Sequence, residues 1–169
     1  MSQQPEAWLA GPLPGIAPLL QPAAHAIEQL RRDLPPLLSG LSRERLWTRP
    51  GQSASIGYHA VHLAGSLDRL FTYARGESLS EAQRVALARE RAIDEEQPGI
   101  ESVVALLEGA LESALEQLGS TREEDLLLHR EVGRARAPST VLGLLIHGAE
   151  HSARHAGQIV TLVRVTESA

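Results

Sequence analysis

The chain has 169 residues, 43% of them hydrophobic but only 3% aromatic, with a formal charge of −5 and no cysteine. That length amounts to one domain whose core needs no staples, built from Leu, Ala, Val and Ile; the missing thiols exclude disulfides, thiolate metal ligands and a cysteine nucleophile, and suit a reducing cytoplasm. No Lys/Arg run is long enough for a phosphate-binding stripe, which argues against nucleic acid, and no apolar run approaches the ~20 residues of a membrane span.

Residues 1–15 read as an arm on a single domain of residues 16–169, with Trp8 and Leu9 as candidate anchors. Its start is not basic and carries Glu6, Pro12 and Pro14, unlike a signal peptide. Leu19, Leu20, Ala23, Ile27 and Leu30 recur at three- and four-residue steps and predict a helix from about Ile16 to Asp33. Pro18 fits its first turn, and Pro22 marks a kink or a later start. The Pro/Gly-rich "LPPLLSGLSRERLWTRPGQSAS" predicts a long crossover with at most short helical turns. A second helix runs from Ser53 or Ser55, either of which can cap it, to about Ala74, with Gly76 as its stop. Ser80 leads a short helix to about Arg91, and "DEEQPG" breaks the chain. A third long helix spans Ile100 to Leu118, with Val103, Val104, Leu107, Leu111, Ala114, Leu115 and Leu118 on one side. Residues 119–138 form another long connection, in which "EVGRARAPS" reads as irregular and "DLLLHREV" as the strand candidate. Ser139 caps the last helix, which runs to about Arg164. The triplets Arg89-Glu90-Arg91 and Glu123-Glu124-Asp125 read as solvated charge. Four long helices joined by long crossovers predict an all-α four-helix bundle.

Five of the seven histidines fall on two of these helices: His59 and His62 on the second, His147, His151 and His155 on the last. Residues four apart share a helix face about 5–6 Å apart at Cβ, close enough for two imidazoles to chelate one ion. Val141, Leu144, Leu145, Ile159 and Leu162 form the apolar stripe of the last helix, and His151, His155 and Gln158 occupy its middle. Gly148, Ser152, Ala156 and Gly157 keep the neighbouring surface small enough for another helix to approach. His62 shares its face with Ser66, Arg69 and Tyr73. Each unsatisfied buried polar group costs about 1–3 kcal/mol, so this stripe asks for a metal ion or a polar network. Three histidines over two turns span ~12 Å, too far for one ion on one side, which makes His147 a site-lining group. His147-Gly-Ala-Glu150-His151 also matches the inverted zinc-protease signature. Helical geometry, however, sets Glu150 about 100° from His151, off the inward stripe.

"SIGYHAVHLAGSLDRLFTYARGESLSEAQ" and "HGAEHSARHAGQI", the latter ending His155-Ala156-Gly157-Gln158-Ile159, resemble the DinB-like family of four-helix-bundle metal-binding proteins. The resemblance covers about Ile16 to Arg164. It implies a site of His62, His151 and His155, with His59 the alternative if the second helix is rotated. Three neutral imidazoles suit Zn²⁺, Ni²⁺ or Fe²⁺ and leave an open position for water or substrate. His59, His147, Tyr73, Glu150 and Gln158 are the remaining site-lining candidates, and Arg69 and Arg154 the candidate contacts to an anionic substrate. The family's likeness to bacillithiol transferases and mycothiol-dependent maleylpyruvate isomerases implies a metal-dependent transferase of low-molecular-weight thiols, or a related hydrolase. It further implies a small-molecule substrate and a homodimer. The alternative is a metal-binding or stress-associated bundle without catalysis.

Overall fold

Four long helices carry the fold in this computed structural model, which describes residues 5–167. They are α1 (Gln21–Ser39), α3 (Ile56–Ala74), α6 (Ile100–Ser120) and α7 (Val141–Glu167). Short helices α2 (Arg43–Trp47), α4 (Glu81–Arg89) and α5 (Ile93–Glu96) fill the crossovers, and a hairpin of β1 (His129–Val132) and β2 (Ala137–Thr140) precedes α7. α3 packs against α7 and α6, and α1 packs against the same two helices, so α1 and α3 occupy opposite corners of an all-α four-helix bundle. Among the described residues no helix is long and apolar enough to cross a membrane.

The apolar spacing does what it predicts on α6: Val103, Leu107, Leu111, Ala114 and Leu118 are buried. They meet Leu63, Leu67 and Phe71 of α3 and Ile27, Leu34 and Leu38 of α1 in one core. Each fully buried leucine or isoleucine contributes about 1.5–3 kcal/mol. Capping also follows the sequence. Ser55, rather than Ser53, accepts a 2.9 Å hydrogen bond from the Tyr58 amide at the start of α3. Ser80 and Gln83 form a reciprocal capping box on α4.

Four expectations are corrected. The first helix begins later, with Pro22 in its first turn, and continues to Ser39 rather than stopping at Asp33. Pro35 and Pro36 deprive two carbonyls of their partners, but Leu34 and Leu38 are buried by the continuation. The strand candidate "DLLLHREV" supplies β1 with its last four residues, but "EVGRARAPS", expected to be irregular, completes an antiparallel hairpin pairing His129 with Thr140 and Val132 with Ala137. Gly133 and Arg136, both at positive φ, lie in its turn. Ser139 is a ladder residue there, and Thr140 caps α7 instead, accepting from the Gly143 amide at 3.0 Å. In the arm, Trp8, Leu9 and the neighbouring Leu19 stay exposed. Ala7 is the residue that turns inward, and its amide donates to Gln29 Oε1 at 2.8 Å.

Candidate metal centre

The site is made where α3 packs against α7. Gly148, Ser152 and Ala156 of α7 are buried, while Gly157 faces solvent. A methyl group on Gly148 would stand 2.9 Å from the Phe71 ring, so this approach requires the bare glycine. His59 and His62 of α3 thereby meet His151 and His155 of α7, all four half-buried. Ring centroids lie 4.6 Å apart for His62–His155 and for His151–His155, and 5.4 Å apart for His62–His151.

Nε2 of His62 is 3.2 Å from Nε2 of His151. Tetrahedral ligands at about 2.0–2.1 Å from one ion lie about 3.3 Å apart, so this pair already has chelating separation. One nitrogen from each of His62, His151 and His155 falls within 4.8 Å of the others, and this triad can hold a metal ion. His59 stands behind it: its Nδ1 is 2.9 Å from Nδ1 of His155. His62 is thus the α3 histidine that completes the group, and His59 is a hydrogen-bond partner of one member.

Two residues outside the expected set complete the surroundings. Tyr58 stacks on His62, with centroids 5.7 Å apart and rings 3° from parallel. Glu90, in the 3₁₀ turn Glu90–Ala92 after α4, accepts from His62 Nδ1 at 3.0 Å and is only 6% exposed. Arg69 binds both of its oxygens, Nη2 to Oε2 at 3.2 Å and Nη1 to Oε1. Burial by itself would raise the Glu90 carboxyl, but the hydrogen bonds from His62 and Arg69 and the guanidinium charge outweigh it and hold it below its ordinary value. Glu90 is thus no solvated charge, whereas Arg89 and Arg91 on either side are exposed. One signal for it was available: an arginine on the inward stripe of α3 requires a buried anion.

The imidazoles discourage one another's protonation. Burial, then the charges of His62, His151, His59 and Arg154, push His155 down to about 4. Burial followed by His62, His147 and Arg154 lowers His151, against an opposing pull from Glu150. Burial and His62 lower His59, against Asp94. His59, His151 and His155 thus resist protons, which keeps their ring lone pairs free at neutral pH.

The other candidates fall at the rim or elsewhere. His147 is exposed, its ring 5.7 Å from that of His151 and its Nδ1 3.3 Å from Glu150. Glu150 and Arg154 are exposed and pair with each other, which also sets the inverted-protease reading aside. Gln158, expected on the inward stripe, faces solvent. Tyr73 lies about three turns, ~16 Å, along α3 from His62, in a cleft shared with Arg130 and Arg136 near the hairpin. Arg69 is 9% exposed and committed to Glu90 rather than standing at the mouth.

The arrangement defines a class: an all-α bundle carrying three converging imidazoles, two from one helix and one from its neighbour, with a carboxylate behind them. The sequence pattern of the DinB superfamily matches residues 26–159, more than half of the chain, and the chain belongs to that superfamily. No curated protein matches it in sequence.

Proposed function

We propose that this is a divalent-metal-binding DinB-like protein acting as a metal-dependent enzyme, either a transferase of low-molecular-weight thiols or a hydrolase. The convergence of His62, His151 and His155 within 4.8 Å carries the reading. The donor set fits Zn²⁺, Ni²⁺ or Fe²⁺: all three candidate ligands are imidazole nitrogens, and two are already at chelating separation. Bound there, such an ion supplies Lewis acidity that makes a thiol or water nucleophilic near neutral pH.

The protein's own residues have separate tasks in this reading. Glu90 and Tyr58 orient His62, and His59 orients His155. The triad is only half-buried, and exposed His147 marks the rim from which a small substrate would reach it. Arg154 places a positive charge at that rim, where an anionic thiol or its electrophile would arrive, although Glu150 shares it. With no cysteine in the chain, the sulfur comes from the substrate. The same reading takes residues 16–169 as one domain with residues 1–15 as its arm, a homodimer in the cytoplasm.

The test has two parts. Protein purified without affinity-tag metal is analysed for bound elements, with about one divalent ion per chain expected. Metal-loaded protein is then offered monochlorobimane with a panel of small thiols, alongside His155→Ala. Metal-dependent thiol consumption that the variant loses supports transfer, whereas ester or amide cleavage without thiol moves the assignment to hydrolase. One observation favours a second, non-catalytic reading: the acidic groups nearest the triad, Glu90 and Glu150, are both already paired. Bound metal with neither activity decides for it.

A further inference from the structure

We propose that Glu90, clamped by Arg69 against Gly65, is the positioning carboxylate of the metal centre, holding His62 in the tautomer that turns its Nε2 lone pair toward His151 and His155. This rests on the metal-binding reading of the triad.

Glu90 is not buried merely because its helix packs. No residue of α4 is buried. The segment is tied to α3 through Gln83, whose amide donates to Asp68 and Thr72 at 2.7 Å each, and then through Glu90 itself. A buried ion pair is weak as a pure stabiliser, because two apolar side chains would serve the fold as well. What an apolar pair would not do is accept a hydrogen bond from imidazole. An ionised carboxylate has only lone pairs to offer, so at 3.0 Å the His62 Nδ1 must be the donor. A neutral imidazole that is N–H at Nδ1 is a lone pair at Nε2, and Nε2 faces His151. Arg69 uses both carboxylate oxygens, which stops the carboxylate rotating away and cancels its charge. Gly65, between His62 and Arg69 on α3, has no side chain because the pair lies against it. A Cβ there would meet Glu90 Oε1 and, at 2.7 Å, Arg69 Nη1.

A merely structural role predicts something different. If the pair only pins the α4 segment, disturbing it changes stability and leaves the imidazoles alone. Gly65→Ala separates the two possibilities. It removes no polar group, and alanine is the better helix former. The atoms it strikes are the ends of flexible side chains beside a cleft of about 550 Å³ between α3, α4 and α6, into which they can swing. Metal-free Gly65→Ala is therefore expected to melt no lower than wild type while Glu90 is displaced.

The experiment uses the full chain as wild type, Gly65→Ala and Glu90→Gln. Long-range ¹H–¹⁵N correlation on chelator-treated samples reads the His62 tautomer, with Nδ1–H expected in wild type and a shift toward Nε2–H in both variants. Competition titrations with Zn²⁺ and Co²⁺ are expected to weaken by about 10–100-fold in both variants, with a changed Co²⁺ visible spectrum. Folded variants that bind both ions within about twofold of wild type would overturn the proposal, as would a wild-type His62 protonated at Nε2. A wild type that binds neither ion stoichiometrically would instead sink the metal reading, and the tautomer comparison would still decide what Glu90 does to His62.

Discussion

Acid should weaken the chelator-treated protein before its carboxylates titrate, by an amount set by the histidine cluster. Burial and the neighbouring charges move His155 from 6.5 to about 4 in the folded protein. Between those values the unfolded chain binds a proton that the folded chain refuses. Its contribution to stability is therefore complete above about pH 6.5 and lost as the pH falls toward 4. His59 and His151 are lowered too and act with the same sign. Glu28 and Glu90 are held below 4.5, so their contributions are lost only beneath that value. The interval from about pH 6.5 to 4.5 thus isolates the imidazoles. One fully shielded proton is equivalent to about 1.36 kcal/mol per pH unit, or about 2.7 kcal/mol across two. His155 is only half-buried, and screening by solvent brings its share to about 1 kcal/mol. Urea unfolding followed by helical circular dichroism, for wild type and His155→Gln from about pH 7.5 to 4.5, measures it. The wild type should lose about 1 kcal/mol more than the variant over that interval. A flat wild-type profile, or equal slopes for the two proteins, would refute the argument.

Replacing His62 or His155 by Ala should abolish stoichiometric binding of Zn²⁺ in a chelator competition, while His147→Ala, at the exposed rim, should change it little. Added metal at a hundredfold excess over its Kd should raise stability by about 2.7 kcal/mol, yet the chelated protein should keep its helical signal, because the leucine core stands without the site. Leu107→Ala in the core should cost about 2–5 kcal/mol in chemical unfolding, and Leu106→Ala, on the exposed side of the same helix, should be close to neutral. Thr140→Ala should cost about 1 kcal/mol through the lost cap of α7, and a Ser139→Ala control should cost less if the cap is placed correctly.

What could be read from the chain before its structure depended on how local the cause was. The stripe from Val103 to Leu118 on α6, the Ser80–Gln83 box and the four-residue step from His151 to His155 are each set within one helix, and each stands as the spacing implies. The errors have non-local causes. Pro35 and Pro36 look like helix breakers, but burial of Leu34 and Leu38 carries α1 through them. The first strand lies in the apolar-led candidate "DLLLHREV", but the second, Ala137–Thr140, is short with no alternating pattern to announce it, and the ladder across the Gly133–Arg136 turn makes it a strand. Trp8 and Leu9 are the bulky residues of the arm, but the turn at Ala7–Ala10 sends Ala7 inward instead.

Glu90 shows why the surroundings of such a cluster are harder to read than its histidines. His151 and His155 signal themselves because a polar pair interrupts an apolar stripe at helical spacing. Glu90 lies twenty-eight residues from His62, in a charged triplet whose other members face solvent. Its burial is produced by the partners it reaches, not by its own periodicity. Its trace in the sequence lies instead on its partner, Arg69. A guanidinium on the same face as His62 cannot be buried alone, so some carboxylate had to descend on that face from another segment. Once it does, one oxygen is within reach of His62 and the geometry of the imidazole is no longer free. The cation on an inward stripe, expected to meet a substrate, is therefore the sequence's trace of the histidine's support.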